Sequence, residues 1–254
     1  SSVMSKKIAA GAEAMVLDVK VGRGAFMETL EDGRALAEQM IRIGANAGRQ
    51  VTAVLSDMSQ PLGRAVGNAL EVAEAIETLR GNGPEDFTAH CLLIGAEMLL
   101  LGRLARTPEE GKQKLARILQ EGQALNKFRE WVTAQGGDSR VADDLSLLPQ
   151  APVMLSVYAA HAGYLAGIDA REVGLAAMQL GAGRERKEEA VDHAVGLVLG
   201  PKIGDYVRAG QLLLTIYARD EQSAAVCKER LLAAYTWSGV PVQSPPLVYD
   251  ILRG

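Results

Sequence analysis

Apolar residues fill Ala14 to Val21 almost without a break, and Asp18 is the acid inside the run. Such runs read as strands of a parallel sheet, covered on both faces. A second run spans Val51 to Ser56. Between them Thr29 stands where a helix cap belongs, Glu31 and Asp32 fill the first turn, and Gly48 marks the stop after Ala47. Strand, helix, strand in that order predicts a right-handed βαβ unit and an α/β sheet. Gly22-Arg23-Gly24 closes the first strand in a tight turn. It is not the dinucleotide fingerprint, which needs glycine where Met27 stands.

Further along, Val66 to Arg80 reads as a helix with Val66, Leu70, Ala73 and Ile76 on one side, ended by Gly81-Asn82-Gly83-Pro84. The next helix runs from Pro84-Glu85-Asp86 to about Ala105, with apolar faces so wide that burial is expected. His90 lies on it and reads as a satisfied core residue. Thr107-Pro108-Glu109-Glu110 is a strong helix start. That helix reaches Gln120, and another covers Gln123 to Gln135.

Leu148-Pro149-Gln150-Ala151-Pro152 reads as a linker, so domains of 1–150 and 151–254 are expected. Beyond it come strands at Val153 to Ala160 and Gly163 to Ile168, and a helix capped by Asp169 to Leu180. A polar loop follows from Gly181 to Lys187, then strands at Ala194 to Leu199 and Leu212 to Tyr217. A helix from Gln222 to Tyr235 and a Pro-rich segment lead to a last strand, Leu247 to Leu252. The turn Gly204-Asp205-Tyr206-Val207-Arg208-Ala209-Gly210-Gln211 resembles the hairpin of biotinyl- and lipoyl-type barrels, without their modified lysine.

Composition narrows the functional classes. The chain has 254 residues, 48% apolar, with aromatics at 4% and a net charge of −4. Few aromatic rings and no basic block argue against a nucleic-acid surface. The longest apolar stretch, Cys91 to Ala96, is cut by Glu97 and is too short to span a bilayer. Cys91 and Cys227, isolated and without metal-ligand spacing, suggest free thiols in a reducing compartment.

Ser2 and Lys6 are four residues apart, so in a helix stopped by Gly11 they share a face. A hydroxyl beside an ammonium suits a planar ligand with carbonyl groups; the same spacing also describes a solvated helix end.

Three stretches resemble the pyrimidine nucleoside phosphorylase and thymidine phosphorylase family: Ser2 to Gly11, Leu17 to Met27, and Ser56 to Val72. The likeness extends over essentially the whole chain, including the Gly181-Ala182-Gly183-Arg184 loop. It implies an α/β fold, a helix-flanked mostly parallel sheet of the type II nucleoside phosphorylase kind. A C-terminal α+β barrel-sandwich-like domain follows, with 1–11 as the base-binding helix. It also implies reversible phosphorolysis, in which inorganic phosphate attacks the anomeric carbon of a pyrimidine nucleoside. The products are free base and ribose- or deoxyribose-1-phosphate.

By the same resemblance Ser2 and Lys6 bind the base, with Lys6 catalytic, and Phe26 lines the base pocket. Leu62, Ala65 and Glu74 match positions that hold a monovalent cation, potassium. The partners implied are pyrimidine nucleoside and phosphate, in a cytoplasmic homodimer with no nucleic acid and no membrane. The family's phosphate-binding segment, catalytic-site His and base-clamping Arg are expected ahead of Ser1, in a longer polypeptide of which this chain is a fragment. Other readings are a thymidine-specific phosphorylase, a non-catalytic base-binding chain, or a related transferase such as a nucleoside-monophosphate phosphorylase or anthranilate phosphoribosyltransferase.

Overall fold

A computed structural model describes residues 2–184 and 186–254. In chain order the elements begin with α1 (Ser2–Ala9), β1 (Ala14–Val21), α2 (Leu30–Asn46), β2 (Gln50–Asp57), β3 (Ala65–Val66) and α3 (Asn68–Leu79). Next come α4 (Glu85–Leu101), α5 (Pro108–Gln120), α6 (Gln123–Ala134), β4 (Val153–Tyr158), β5 (Gly163–Ile168) and α7 (Ala170–Ala177). The last are β6 (Gly196–Leu199), β7 (Tyr206–Val207), β8 (Leu212–Ala218), α8 (Glu221–Ala233), β9 (Tyr235–Ser238) and β10 (Val248–Arg253).

This mixed α/β protein divides into two compact units. One comprises Ser1–Met58, Asp86–Ile118 and Pro246–Gly254; the other comprises Ser59–Glu85 and Leu119–Pro245. The division differs from the expected boundary after residue 150. The chain leaves the first unit at Ser59, returns for α4 and α5, and comes back for β10. The last crossing is set by the pairing of β10 with β2.

In the first unit β2 is the middle strand of β1-β2-β10. β1 pairs with it in parallel, Ala14 opposite Gln50 through Val21 opposite Asp57. β10 pairs with it antiparallel, with an irregularity between Val248 and Asp250. All of β2 but Gln50 is buried, with polar Thr52, Ser56 and Asp57 among its apolar residues. Met15, Leu17, Val19 and Val21 alternate onto Ala37 and Met40 of α2, and Met4 of α1 joins that core. Each such fully buried aliphatic side chain contributes about 1.5–3 kcal/mol. The sheet is therefore not mostly parallel among the described residues: β1–β2 is the parallel strand pair, and β10 reverses. Composition identified β10 as a strand but carries no information about its partner.

The second unit has a sheet of order β3-β6-β8-β4 and another of order β7-β5-β9, with antiparallel pairing throughout. One core draws on both, including Leu165, Leu197, Leu214 and Ile216, with Val173 and Leu231 from α7 and α8. Local capping follows expectation. Thr29 accepts from the Asp32 amide, and Asp169 from Arg171 and Glu172.

Three elements differ from the sequence reading. Val66 belongs to β3, not to a helix, pairing with Leu197. Gly67 has φ 143°, which halts the strand and lets α3 start at Asn68. The helix expected to reach Ala105 ends at Leu101, and its buried residues are only His90, Ala96 and Glu97. Residues Met178–Ala182 extend the end of α7 as a π turn, so the polar loop starts later than Gly181. Glu185, in that loop, and Ser1 lie outside the described residues.

Gly67→Ala tests the β3–α3 junction. A Cβ there meets the Val195 carbonyl oxygen at 2.6 Å in a backbone region closed to alanine. Urea titration is expected to show a loss of about 2–3 kcal/mol, in the range for such strain. Gly174→Ala, in open space on α7, is expected to gain about 0.5–1 kcal/mol.

Candidate functional site

Asp18 sits in the middle of β1, on the face turned away from α2. Its side chain is 27% exposed, and three neighbours meet its two oxygens. Lys20, two residues on and on the same face, places Nζ 2.8 Å from its Oδ2. Ser56 of β2 donates its hydroxyl to Oδ1. His90 of α4 reaches in from the helix layer, its Nε2 2.6 Å from Oδ2. Burial by itself raises the Asp18 carboxyl. Hydrogen bonds from His90, Lys20 and Ser56 together outweigh it and bring the group from 3.8 down to about 2.

The short contact to a carboxylate assigns the ring proton of His90 to Nε2. Lys20 Nζ, 3.2 Å from the same nitrogen, therefore lies beside it as a second donor to Asp18. Nδ1 is buried and has no partner among the described residues. The expected satisfied core histidine is satisfied at one nitrogen only. Its pairing with Asp18 was missed. The available signal was an acid inside an apolar strand and a lone basic ring in an apolar helix, each costly to bury alone.

A cavity of about 530 Å³ runs along β1, lined by consecutive residues Val16 to Lys20. Alternate strand residues face opposite ways, so this lining places the cavity at the strand's edge. The Gly24-Ala25-Phe26-Met27 turn and Leu36 and Met40 of α2 complete it, with Val3 and Lys7 of α1. Phe26 is fully exposed at this rim.

Ser2 and Lys6 are exposed, on the side of α1 away from buried Met4. They share a face as expected, and Gly11 ends the helix with φ 82°. The flank that borders the cavity with Phe26 is instead Val3 and Lys7. The cavity thus collects Phe26 but neither Ser2 nor Lys6.

In the second unit Glu74 of α3 turns back to the loop before β3. Its Oε1 accepts the amides of Arg64 and Ala65 at 2.8 and 3.0 Å. The Leu199 amide donates to the Arg64 carbonyl, so Ala65 occupies a non-hydrogen-bonded pair of the β3–β6 ladder. Its carbonyl is directed away from β6, to the side where its amide meets Glu74. Lys202 donates to the Pro61 carbonyl at 2.6 Å and to the Gly63 carbonyl, on either side of Leu62. Leu62, Ala65 and Glu74 are thus close in the fold. No group of three His, Cys, Asp or Glu suited to a metal occurs among the described residues.

Two family models match the chain. One, described as the glycosyl transferase family a/b domain, covers residues 1–125. The other, described as the pyrimidine nucleoside phosphorylase C-terminal domain, covers residues 164–238. The chain is 52% identical over 250 residues to a pyrimidine-nucleoside phosphorylase of Geobacillus stearothermophilus, covering 98% of this chain and 58% of that protein. It is 55% identical over 256 residues to the enzyme of that name from Bacillus subtilis (strain 168), covering 99% and 58%. A third, from Staphylococcus aureus (strain USA300), is 49% identical over 252 residues, again covering 99% and 58%. The chain therefore spans a little under three fifths of the length of these relatives.

The Asp18 cluster has a stability signature. A carboxyl depressed in the folded state stabilises the fold above its unfolded value of 3.8, and that contribution fades as pH falls towards about 2. Denaturant titrations from about pH 5 to 2 are expected to lose about 1–2 kcal/mol through this group, allowing for partial solvent screening. In Asp18→Asn that share of the pH dependence is expected to vanish. An unchanged slope would remove Asp18 from the account.

Proposed function

Because this chain belongs to the pyrimidine-nucleoside phosphorylase family, we propose that it forms the base-binding part of an enzyme that cleaves pyrimidine nucleosides with phosphate. Identity of about half the residues along nearly the whole chain, to enzymes of that name, carries the reading. In this reaction a phosphate oxygen bonds to the anomeric carbon while the bond from that carbon to the base breaks. The bonding pair leaves with the base, whose carbonyl oxygens gain negative charge.

Ser2 and Lys6 supply donors suited to that charge. Both are exposed on one face of α1, with no salt bridge to Lys6 among the described residues. An ammonium and a hydroxyl held on a short helix stabilise the leaving base more than the bound nucleoside, which is the requirement for catalysis. Phe26 offers an exposed aromatic face for the pyrimidine ring. Uridine, deoxyuridine and thymidine all present that ring and those carbonyls. Phosphate is the co-substrate that phosphorylase activity implies.

Leu62 and Ala65 carbonyls with the Glu74 carboxylate suit a hard monovalent cation, potassium. The Ala65 carbonyl directed to the Glu74 side supports that fit. A bound cation adds positive charge that ties α3 to the loop before β3. The fold reading is a type II nucleoside phosphorylase α/β domain followed by the barrel-sandwich-like domain. The reading also includes a homodimer containing the further segment found in the relatives. Unpaired Cys91 and Cys227 accord with a reducing cytoplasm, and no described helix is long and apolar enough to cross a membrane.

Phosphate-dependent release of uracil or thymine, assayed on the complete polypeptide at the relatives' length, tests this. Lys6→Ala is expected to lower the rate at least about a hundredfold, as for loss of one preorganised donor. A rate within a few-fold of the parent refutes the role of Lys6, and no phosphorolysis in the parent refutes the activity. For the cation, potassium is expected to raise the melting temperature of the parent and to leave Glu74→Gln unmoved. An equal rise in both excludes Glu74 as a ligand.

A further inference from the structure

A second cavity of the first unit, of about 430 Å³, shares no lining residue with the cavity at Phe26. Gln50 and Thr52, at the start of β2, line this second cavity. Arg103, Arg106 and Arg253 also border it, with a single acidic side chain, Glu97. Three guanidinium groups thus meet one carboxylate.

Arg253 is already matched. Its Nε and Nη2 donate to the two oxygens of Glu97 at 3.0 and 2.6 Å, and Glu97 is 1% exposed. This planar, two-pronged pairing occupies that fork and that acid. No described carboxylate pairs with the side chains of Arg103 or Arg106. Glu110 feels the charge of Arg106 but forms its salt bridge with Lys114 at 2.6 Å. A carboxylate at Gly254, which also borders the cavity, leaves the set positive.

Arg103 carries a second signal. With φ 57° it is the one non-glycine residue of positive φ among the described residues. It follows the end of α4, where the Leu104 amide donates to the Leu99 carbonyl at 2.8 Å and the Arg103 amide to Leu100 at 3.0 Å. That pattern ends helices at a position glycine ordinarily fills, because a Cβ is strained there. The strain falls on a residue whose side chain borders a cationic cavity, and strained residues gather at ligand sites.

We propose that this cavity binds a phosphate group through the forks of Arg103 and Arg106. A carboxylate is satisfied by one fork; a tetrahedral dianion engages two. The volume exceeds what a bare ion fills and lies within the span of metabolite pockets, about 300–1,000 Å³. Leu100, Leu101 and Pro108 give it an apolar wall, so the organic body of a small phosphate monoester fits beside the anion. The site is separate from the cavity at Phe26 and does not depend on the proposed base-binding role.

Calorimetric titration of the 254-residue chain with glycerol 3-phosphate, inorganic phosphate and acetate, at equal ionic strength, tests this. Both phosphates are expected to bind at least about tenfold more tightly than acetate, the scale of one charge-assisted hydrogen bond. Tighter binding of the ester assigns the site to a phosphate monoester; equal binding assigns it to free phosphate. Arg103→Gly relieves the strained position, so it is expected to melt no lower than the parent while losing at least tenfold in affinity. Arg106→Gln is expected to lose as much. Absence of phosphate binding to the parent overturns the proposal, and so does full affinity in a folded Arg103→Gly chain.

Discussion

A carboxylate in the middle of a sheet strand, with its side chain 27% exposed, draws partners from both the sheet and the helix layer, and Asp18 sets that condition in the first unit. From the sheet Ser56 takes Oδ1 and Lys20 takes Oδ2, which still has a second side facing the helix layer. His90 closes it. Seven residues later Glu97, on the same face of α4, takes Arg253 of β10. Two turns of helix separate the contacts, about 10.5 Å, or roughly two strand spacings. α4 is thereby fixed across β1-β2-β10 at both outer strands. Ala96 is its one buried apolar residue, so this helix is registered by polar contacts more than by apolar packing.

That arrangement explains which parts of the fold were legible in sequence. Caps are local chemistry, and Thr29, Asp169 and Thr107 declare themselves within three residues of their partners. β1 and β2 show as mainly apolar runs, with Asp18 and Lys20 in the first and Thr52 in the second. The partner of β10 lies almost two hundred residues away, and nothing in its composition selects one edge of one sheet. Val66 sits in a helical pattern, and only the backbone at Gly67 separates it from α3. The apolar character of α4 suggested a buried rod. Its two important side chains are the polar ones, which a hydrophobicity pattern discounts.

The site was legible in part, for the same reason. The Ser2–Lys6 spacing follows from helical geometry, and their shared exposed face is what that geometry delivers. Their role comes from the family likeness, because an exposed pair on a short helix has no local feature that separates a ligand clamp from a solvated end. The cavity beside α1 gathers Val3, Lys7 and Phe26, residues with no common motif. Glu74 needed the fold in another way. Only the return of α3 against its own leading loop brings its carboxylate to the Arg64 and Ala65 amides.

The distribution of matched and unmatched charge separates structural groups from candidate ligand groups. Glu97 is enclosed and paired with Arg253, and removing that partner leaves a charge where water cannot replace it; Asp18, with a side chain 27% exposed, is held by Lys20, Ser56 and His90. Arg103 and Arg106 border a cavity without an acidic side chain paired to them, and Lys6 is exposed on α1. Exposed cations are common, so exposure alone assigns nothing. Arg103 differs because its backbone is held where an arginine is disfavoured, and the helix end it terminates would close as well around glycine. The strain is local to that residue, and so the reason for carrying it lies in the side chain. α4 thus joins two tasks: its interior face fixes the sheet, and its carboxyl end presents charge that the sheet does not use.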